Sequence, residues 1–236
     1  MNEEDRYRDL FSGKPGSVLG AFKETADAPV SGSAKAKQKA VSEKRLPPRR
    51  NRGPRIPPGQ EIVTKWPVLD LGHHPLIPTQ QWSLDIKGAV EKPLQLDWAT
   101  FRSHARDTIT ADIHCVTAWS MLNNEWEGLS ARSLMDMVQP KATAAHVIFH
   151  AHDGYRTNLS LSRFAGEDSL LAHSWNGAPI TREHGGPVRM VVPSLYFWKS
   201  AKWIRQITFL VNDVKGYWEA LGYHNEGDPW KEERYA

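Results

Sequence analysis

The sequence predicts an α+β fold in which mixed β-sheets are combined with short helices. Strand-like segments outnumber helical ones along the 236-residue chain. The two types do not alternate regularly, as they would in a doubly wound fold. The helical segments are short, and capping residues, glycine or proline mark their ends. No internal repeat is visible.

Local patterns place the individual elements. Residues 82–88 alternate apolar with polar side chains and end in glycine, which is typical of a half-buried strand. Apolar runs predict the other strands at 107–116, 147–149, 170–172, 188–192 and 203–211. Short helices are predicted at 97–103, 130–138 and 214–221. Asp97 is the N-cap of the first helix and Ser130 that of the second, which Pro140 stops, and Gly222 is the C-cap of the third.

Composition divides the chain near residue 60. Residues 1–60 contain 13 Lys/Arg and 7 Asp/Glu, whereas the remainder contains 17 and 20. All 10 tryptophans and all 10 histidines lie at or beyond Trp66. We therefore predict a disordered basic arm at 1–60, because it has too little apolar surface to offset its ordering entropy. Residues 61–236 suit one compact domain.

The sequence also limits the class of partner and the compartment. Basic residues of the arm are interleaved with acidic ones and no aromatic stacking pattern accompanies them, which does not favour nucleic-acid binding. Residues 16–22 are too short and too weakly apolar for a signal sequence, and no run reaches transmembrane length. We expect a cytoplasmic protein without a membrane partner, which is consistent with a single reduced cysteine.

Cys115 is the only cysteine, so it cannot form an internal disulfide or by itself build a zinc or iron–sulfur site. It is a small buried hydrophobe, a nucleophile, or the one protein ligand of a metal whose other ligands come from a cofactor. His114 is adjacent, but neighbouring side chains of a strand point to opposite faces. His114 therefore cannot serve as the base for a Cys115 nucleophile.

Two further groups of residues are candidates for chemistry. His150 and His152 can share one face of a strand, but no carboxylate cluster accompanies them, so a zinc site is not favoured. Arg189, Lys199 and Lys202 are separated by short turns and can converge on an anion. Alternatively, the two lysines only extend over the neighbouring tryptophan rings.

Four motifs together resemble the molybdopterin-binding domain of sulfite-oxidase-type enzymes. The likeness is greatest to the catalytic subunit of bacterial methionine-sulfoxide reductase and its short cytoplasmic relatives. The motifs are Leu-Gly-His-His-Pro at 71–75, Cys-Val-Thr-Ala-Trp-Ser at 115–120, His-Gly-Gly-Pro-Val-Arg at 184–189 and Phe-Trp-Lys-Ser-Ala-Lys-Trp at 197–203. The second and third are specific, and all four occur in the family's order.

The resemblance implies a molybdenum-molybdopterin cofactor with Cys115 as the thiolate ligand of the metal. The pterin dithiolene supplies two soft sulfur ligands, so one protein thiolate is a reasonable complement. Arg189 and Lys202 would hold the cofactor phosphate, and His184 would bond to the pterin. The remaining implied contacts are His73, His74 and the turn formed by Lys199, Ser200 and Ala201.

The resemblance also bears on the reaction. Asp153 and Tyr155 fall where sulfite oxidases place an active-site tyrosine. Two arginines that neutralise an anionic substrate in sulfite oxidases correspond here to Gly72 and Ser120, so we expect oxygen-atom transfer from a neutral S-oxide or N-oxide. Sulfite oxidation at the same centre and a non-enzymatic phosphate-binding module are the alternatives.

The chain carries no motif for a second redox centre. It has neither a haem-attachment motif nor a Gly-x-Gly-x-x-Gly loop, and one cysteine cannot hold an iron–sulfur cluster. Electrons for a small-molecule substrate must therefore come from a redox partner protein or a small electron carrier. The family's C-terminal dimerisation domain has no counterpart here, and we expect a monomer.

Overall fold

A computed structural model of the protein describes residues 55–236 and confirms the α+β class with mixed sheets. The strands are β1 (Glu61–Ile62), β2 (Ser83–Gly88), β3 (Leu94–Asp97), β4 (Asp107–Cys115), β5 (Trp119–Ser130), β6 (His146–Ala151), β7 (Arg156–Ser160), β8 (Leu170–Trp175), β9 (Ala178–Pro179), β10 (Arg189–Val191) and β11 (Ile204–Leu210). The α-helices are α1 (Trp98–His104), α2 (Ala131–Val138), α3 (Leu161–Phe164) and α4 (Tyr217–Ala220). Short 3₁₀ turns occupy Thr79–Gln81, Arg182–His184, Phe197–Lys199 and Pro229–Lys231.

The first sheet is organised around β5. This long strand pairs in parallel with β1 and antiparallel with β4 and β8, and β8 in turn pairs with β9 and β10. The short connection between β4 and β5 makes a hairpin that brings Cys115 directly opposite Trp119. The candidate metal ligand thus lies at the end of a hairpin whose register is fixed by eight paired positions.

The second sheet has the order β3-β2-β11-β6-β7. β11 is parallel to β2 and antiparallel to β6, so this sheet is mixed. Its apolar face packs with α1, α2 and α3 into the larger core, which includes Leu84, Phe101, Leu134, Phe149 and Phe164. A second core cluster surrounds Cys115.

Both predicted helix caps are confirmed. The Asp97 carboxylate accepts a hydrogen bond from the backbone N–H of Thr100, and Ser130 Oγ accepts one from Ser133 N–H. Strands β1, β3, β5, β7 and β9 and helix α3 were not predicted. Helix α4 begins at Tyr217, three residues later than predicted, and Gly222 follows it with φ +96°.

The predicted arm lies outside the described residues, except for its last six positions. Within these, Gln60 is buried and Arg55 forms an ion pair with Asp112 at 2.6 Å. Residues 55–60 therefore belong to the folded part of the chain. No helix among the described residues is long and apolar enough to cross a membrane. Asp70 and Gly72 lie in a separate small unit, in which the Asp70 carboxylate accepts a bond from Gly72 N–H at 2.7 Å.

We expect Ser130→Ala to lower the free energy of unfolding by about 1 kcal/mol, because the first turn of α2 loses its side-chain cap. Urea denaturation measures the change. Ser160→Ala is the matched control, because Ser160 precedes α3 without a side-chain capping bond. The free energy of unfolding of Ser160→Ala should fall by less than about 0.5 kcal/mol. Equal losses in the two variants would contradict the assignment of the cap.

Candidate active site

Cys115 ends β4 and lies at the entry to a tight turn. Ala118 donates its backbone N–H to the Cys115 carbonyl at 3.0 Å and adopts φ +68°, which closes the turn. Gln60 Nε2 donates to the same carbonyl at 3.1 Å. The Cys115 side chain is buried between strands and is only 6% exposed. The hairpin therefore fixes the thiol in one position.

The surroundings of Cys115 disfavour a free thiolate. Burial raises the pKa of the Cys115 thiol, while a 3.1 Å hydrogen bond from Thr117 Oγ1 and the positive charge of Arg234 act in the opposite direction. A metal cation would supply the missing stabilisation, because thiolates bind metals as the deprotonated species. The site suits a metal ligand better than a free nucleophile.

His114 takes no part in activating this thiol. Its Nδ1 lies 2.8 Å from Ser120 Oγ, and Ser120 Oγ donates to Gln60 Oε1 at 3.3 Å. Burial lowers the pKa of His114 to about 4, so the ring is neutral at pH 7. His114 stabilises the hairpin on the side away from the thiol.

The turn after β9 carries His184. Glycine is required at both following positions, since a Cβ on Gly185 would lie 2.8 Å from the Lys202 side chain and one on Gly186 would lie 2.0 Å from the Ile180 carbonyl. The Trp66 ring stacks on His184 at 3.9 Å with planes 6° apart. His184 Nδ1 is buried and has no hydrogen-bond partner among the residues that the structure describes. Burial, with a smaller contribution from the charge of Arg189, lowers the pKa of His184 to about 4.

Arg189 joins two turns through backbone carbonyls. Its Nη1 donates to the His184 carbonyl at 2.7 Å and its Nη2 donates to the Ser200 carbonyl at 2.9 Å. The guanidinium contacts the faces of two neighbouring rings, 4.3 Å from the Phe197 centroid and 5.2 Å from that of Trp66. Burial lowers the pKa of Arg189 to about 9. These donors hold the turns together, and phosphate binding by the same side chain stays a prediction.

The Lys199 side chain does not reach the His184 turn. Its Nζ lies 2.7 Å from Glu219 Oε1 and donates to the Asn158 carbonyl at 3.0 Å, and both charged side chains are fully buried. Ser200 Oγ accepts from Val192 N–H at 2.9 Å. In this arrangement, the backbone of the turn is the part of Lys199 that remains a candidate for binding the cofactor. Ala201, the third residue of the turn, is buried and accepts a bond from Met190 N–H at 2.8 Å.

Residues from three motifs gather around Lys202. Lys202 Nζ donates to the Glu183 carbonyl at 2.6 Å and lies 5.0 Å from the centre of the Trp203 ring. The centroid of the His74 ring lies 5.7 Å from the centroid of the same Trp203 ring. The charge of Lys202 acts on both His184 and Asp153. His73 also acts on Asp153, so the two histidines of the first motif lie beside the third and fourth motifs.

Tyr155 and Asp153 form hydrogen bonds to the Trp198 turn and to each other. The Tyr155 hydroxyl donates to the Trp198 carbonyl at 2.7 Å, and Asp153 Oδ1 accepts from Tyr155 N–H at 2.9 Å. Burial raises the pKa of both side chains. The structure brings Asp153 to the Lys202 cluster and ties Tyr155 to the turn before Lys199. Contact between Tyr155 and Cys115 is not observed, and a catalytic role for Tyr155 stays a prediction.

A series of aromatic rings joins Cys115 to the His184 turn. From Trp66, which stacks on His184, ring centroids lie 6.0 Å away at Phe197 and a further 6.5 Å away at Trp119. Trp119 is the cross-strand partner of Cys115. Cys115 and Phe197 also belong to one core cluster. The sulfur therefore lies near the two turns that the sequence predicts to surround the cofactor.

Comparisons with known proteins show the family of this chain. Residues 71–218 match the oxidoreductase molybdopterin-binding domain family. The chain is 44% identical over 183 residues to the uncharacterized oxidoreductase YuiH of Bacillus subtilis, covering 77% of this chain and 92% of YuiH. The chain belongs to this family. It is a molybdenum-dependent oxidoreductase with a molybdenum-molybdopterin cofactor.

More distant members of the family are enzymes of known type. The catalytic subunit MsrP of the protein-methionine-sulfoxide reductase of Campylobacter jejuni is 30% identical, over 60% of this chain and 53% of that protein. The sulfite oxidase of Arabidopsis thaliana is 27% identical, over 61% and 46%. The sulfane dehydrogenase SoxCD of Paracoccus pantotrophus shares the fold, with a TM-score of 0.55 at 22% identity over 60% of this chain and 41% of that one. The present chain thus spans about half of these longer relatives.

The residues of this molybdopterin oxidoreductase fit its cofactor. The buried thiol of Cys115 is a soft ligand of the kind that complements a dithiolene. The unpartnered Nδ1 of His184 is buried beside the cluster of Lys202 and His74, where a polar group of a ligand would satisfy it. No group of three or more His, Cys, Asp or Glu that could hold a metal by itself occurs among residues 55–236.

Sequence reasoning missed four residues of the site: Trp66, Tyr196, Glu219 and Arg234. Trp66 lies on His184, and Glu219 neutralises Lys199. Arg234 donates to the Val116 carbonyl and lies 4.9 Å from the Tyr196 ring centroid. Residues of this kind lie outside the motifs, and only the fold brings them to the site. His150, by contrast, is surrounded by the charges of Arg205, Arg156 and Lys87, which disfavour a metal there.

We expect Glu219→Leu to lower the free energy of unfolding by about 3–5 kcal/mol, because it leaves the Lys199 ammonium buried without its carboxylate. Adding Lys199→Met should recover most of the loss, since no buried charge remains. Guanidinium denaturation of the two single variants and the double variant gives the coupling energy. Additive losses would contradict the assignment of the pair as a structural unit.

Proposed function

We propose that this oxidoreductase uses Cys115 as the protein ligand of molybdenum and transfers an oxygen atom from an S-oxide or N-oxide. For an S-oxide, the reaction takes two electrons and two protons, breaks the S–O bond and yields a thioether and water. The bound cofactor supplies the two-electron chemistry, while the chain positions and shields the reacting atoms. Identity to the methionine-sulfoxide reductase of C. jejuni supports this direction.

The observation that carries the proposal is the placement of the Cys115 thiol. It is held at the end of β4, buried among aromatic rings, and it lies near the His184 and Lys199–Lys202 turns. Burial alone would also suit a structural cysteine, whereas a position beside these two turns supports a ligand role. The hairpin excludes water from the sulfur, so a positive centre bound there interacts strongly with the thiolate.

Each remaining residue has a proposed task. His184 Nδ1 forms a hydrogen bond with the pterin, and Lys202 binds the phosphate. Arg189 keeps the His184 and Ser200 carbonyls in place, and it adds positive charge near the phosphate. His73 and His74 close this side of the site. Asp153 is a candidate proton carrier, because burial raises the pKa of its carboxyl group.

The electrons come from a redox partner or a small carrier, because the chain contains no motif for a second redox centre. We place the enzyme in the cytoplasm on the grounds of its single unpaired cysteine, and we propose that it acts as a monomer. Cell fractionation and sedimentation of the full chain test both assignments. Recovery in a periplasmic fraction or as a stable dimer would contradict them.

Cys115→Ala should reduce the molybdenum content from about one atom per chain to near zero, because the metal loses its protein sulfur ligand. Elemental analysis of protein from cells that make the cofactor measures the metal. Fluorescent oxidation products of the pterin are measured on the same samples, and circular dichroism checks the fold. Full molybdenum occupancy in the folded variant would overturn the proposal.

Sulfite oxidation is the alternative that the similarity to plant sulfite oxidase favours. With an artificial electron carrier, we expect kcat/KM for S-oxide reduction to exceed that for sulfite oxidation by at least tenfold, or about 1.4 kcal/mol in transition-state stabilisation. The basis is Ser120, a buried residue committed to His114 and Gln60 at the position where sulfite oxidases carry one of their two arginines, so a sulfite dianion meets fewer cations here than in those enzymes. Faster turnover of sulfite would reverse the assignment.

A further inference from the structure

The C-terminal segment returns to the Cys115 hairpin and brings a cation with it. Arg234 donates through Nη1 to the Val116 carbonyl, and its guanidinium lies over the Tyr196 ring at 4.9 Å. The residue is only 6% exposed. In the same segment, the Trp230 ring lies 6.0 Å from His114, the other neighbour of Cys115. This segment therefore covers the end of β4 that carries the thiol.

Several buried donors at this place lack acceptors. Arg234 Nε and Nη2 and Trp119 Nε1 are buried without a hydrogen bond among the residues that the structure describes, and the Tyr196 hydroxyl has Gln60 as a polar partner. No ion pair joins Arg234 to a carboxylate within residues 55–236. Burying a guanidinium in this way is unfavourable unless a ligand satisfies its free N–H groups.

These groups lie in the neighbourhood of Cys115. Trp119 is opposite Cys115 in the hairpin, and Arg234 donates to the carbonyl of the next residue, Val116. The charge of Arg234 acts on Cys115, and Cys115 and Arg234 both act on Tyr196. Glu232 is an acidic neighbour of Tyr196 whose charge opposes an anion. The surroundings of the thiol thus include buried N–H and O–H groups and the positive charge of Arg234.

We propose that Arg234, with the Tyr196 hydroxyl and the Trp119 indole, forms an anion-binding subsite beside Cys115. It selects an S-oxide or N-oxide that carries a negatively charged group next to the reacting oxygen. The inference rests on the proposed function and specifies its substrate class. A guanidinium has a planar fork that matches a carboxylate or sulfonate, and buried charge-assisted hydrogen bonds are strong.

This subsite changes the expectation of a neutral substrate. That expectation arose because Gly72 and Ser120 occupy positions where arginine would neutralise an anion. Arg234 lies 114 positions beyond Ser120 in the chain, yet the fold brings it to the same hairpin. The positive charge is therefore supplied from the C-terminal segment.

The test uses the holoenzyme and two substrates, methylsulfinylacetate and its methyl ester, which differ in charge and by one methyl group. We expect Arg234→Gln to raise the KM for the acid by about 10- to 100-fold, as the loss of a charge-assisted bond predicts. The KM for the ester should change less than about twofold, and Arg234→Lys should restore part of the preference for the acid. Equal increases in KM for the acid and the ester would show that Arg234 only anchors the segment, which overturns the proposal.

Arg163→Gln is the matched control. Arg163 also anchors the C-terminal segment, through Asp228 at 3.2 Å, but it brings no charge to Cys115. Its removal should leave the ratio of the two KM values unchanged. A loss of acid preference in this control, equal to that in Arg234→Gln, would assign the effect to anchoring and contradict the subsite.

Two measurements do not depend on turnover. Sulfate binding to the oxidised holoenzyme, followed by calorimetry, should weaken at least tenfold in Arg234→Gln. Molybdenum and pterin contents should remain at the wild-type level, and a fall in both would show that Arg234 binds the cofactor phosphate instead. If neither S-oxide is turned over, the proposed reaction fails; loss of sulfate binding in Arg234→Gln would still support the anion subsite.

Discussion

The arrangement of the site depends on the bonds from the Arg189 guanidinium to two backbone carbonyls. One carbonyl belongs to His184 and the other to Ser200, so a single side chain fixes the distance between the turns that carry most of the proposed cofactor contacts. The cation contacts the faces of two aromatic rings and has no ion pair among the described residues. Carbonyl oxygens and ring faces stabilise it without neutralising it, and its field therefore persists where a phosphate would bind.

The hairpin of β4 and β5 imposes the second constraint. Successive residues of β4 face opposite sides, so His114 bonds to Ser120 on one side while Cys115 meets Trp119 on the other. A shift of the register by one residue would exchange these two environments. The thiol would then lie on the side where the His114 imidazole and the Ser120 hydroxyl now share a hydrogen bond. Strand register therefore decides which of the two environments Cys115 occupies.

Local signals explain what the sequence could predict. The Asp97 and Ser130 caps act within three residues, and both were recognised. Strand β5 was missed because Asn123, with φ +56°, and Gly128 interrupt its pattern, while pairing with β4 and β8 holds it in place. The motifs predicted the turns that we propose to bind the cofactor. They could not show that Lys199 is committed to Glu219, since an ion pair between separate segments leaves no local pattern.

The three buried Lys and Arg side chains of the described residues differ in the partners that stabilise their charge. Lys199 is neutralised by Glu219 and bonded to the Asn158 carbonyl, and Arg189 uses two turn carbonyls and two ring faces. Arg234 has one carbonyl and one ring, and two of its nitrogens lack acceptors. A buried group that folding leaves unsatisfied reduces stability, and such groups concentrate where a ligand supplies the missing bonds. Of the three cations, Arg234 is therefore the one whose environment is completed by a ligand.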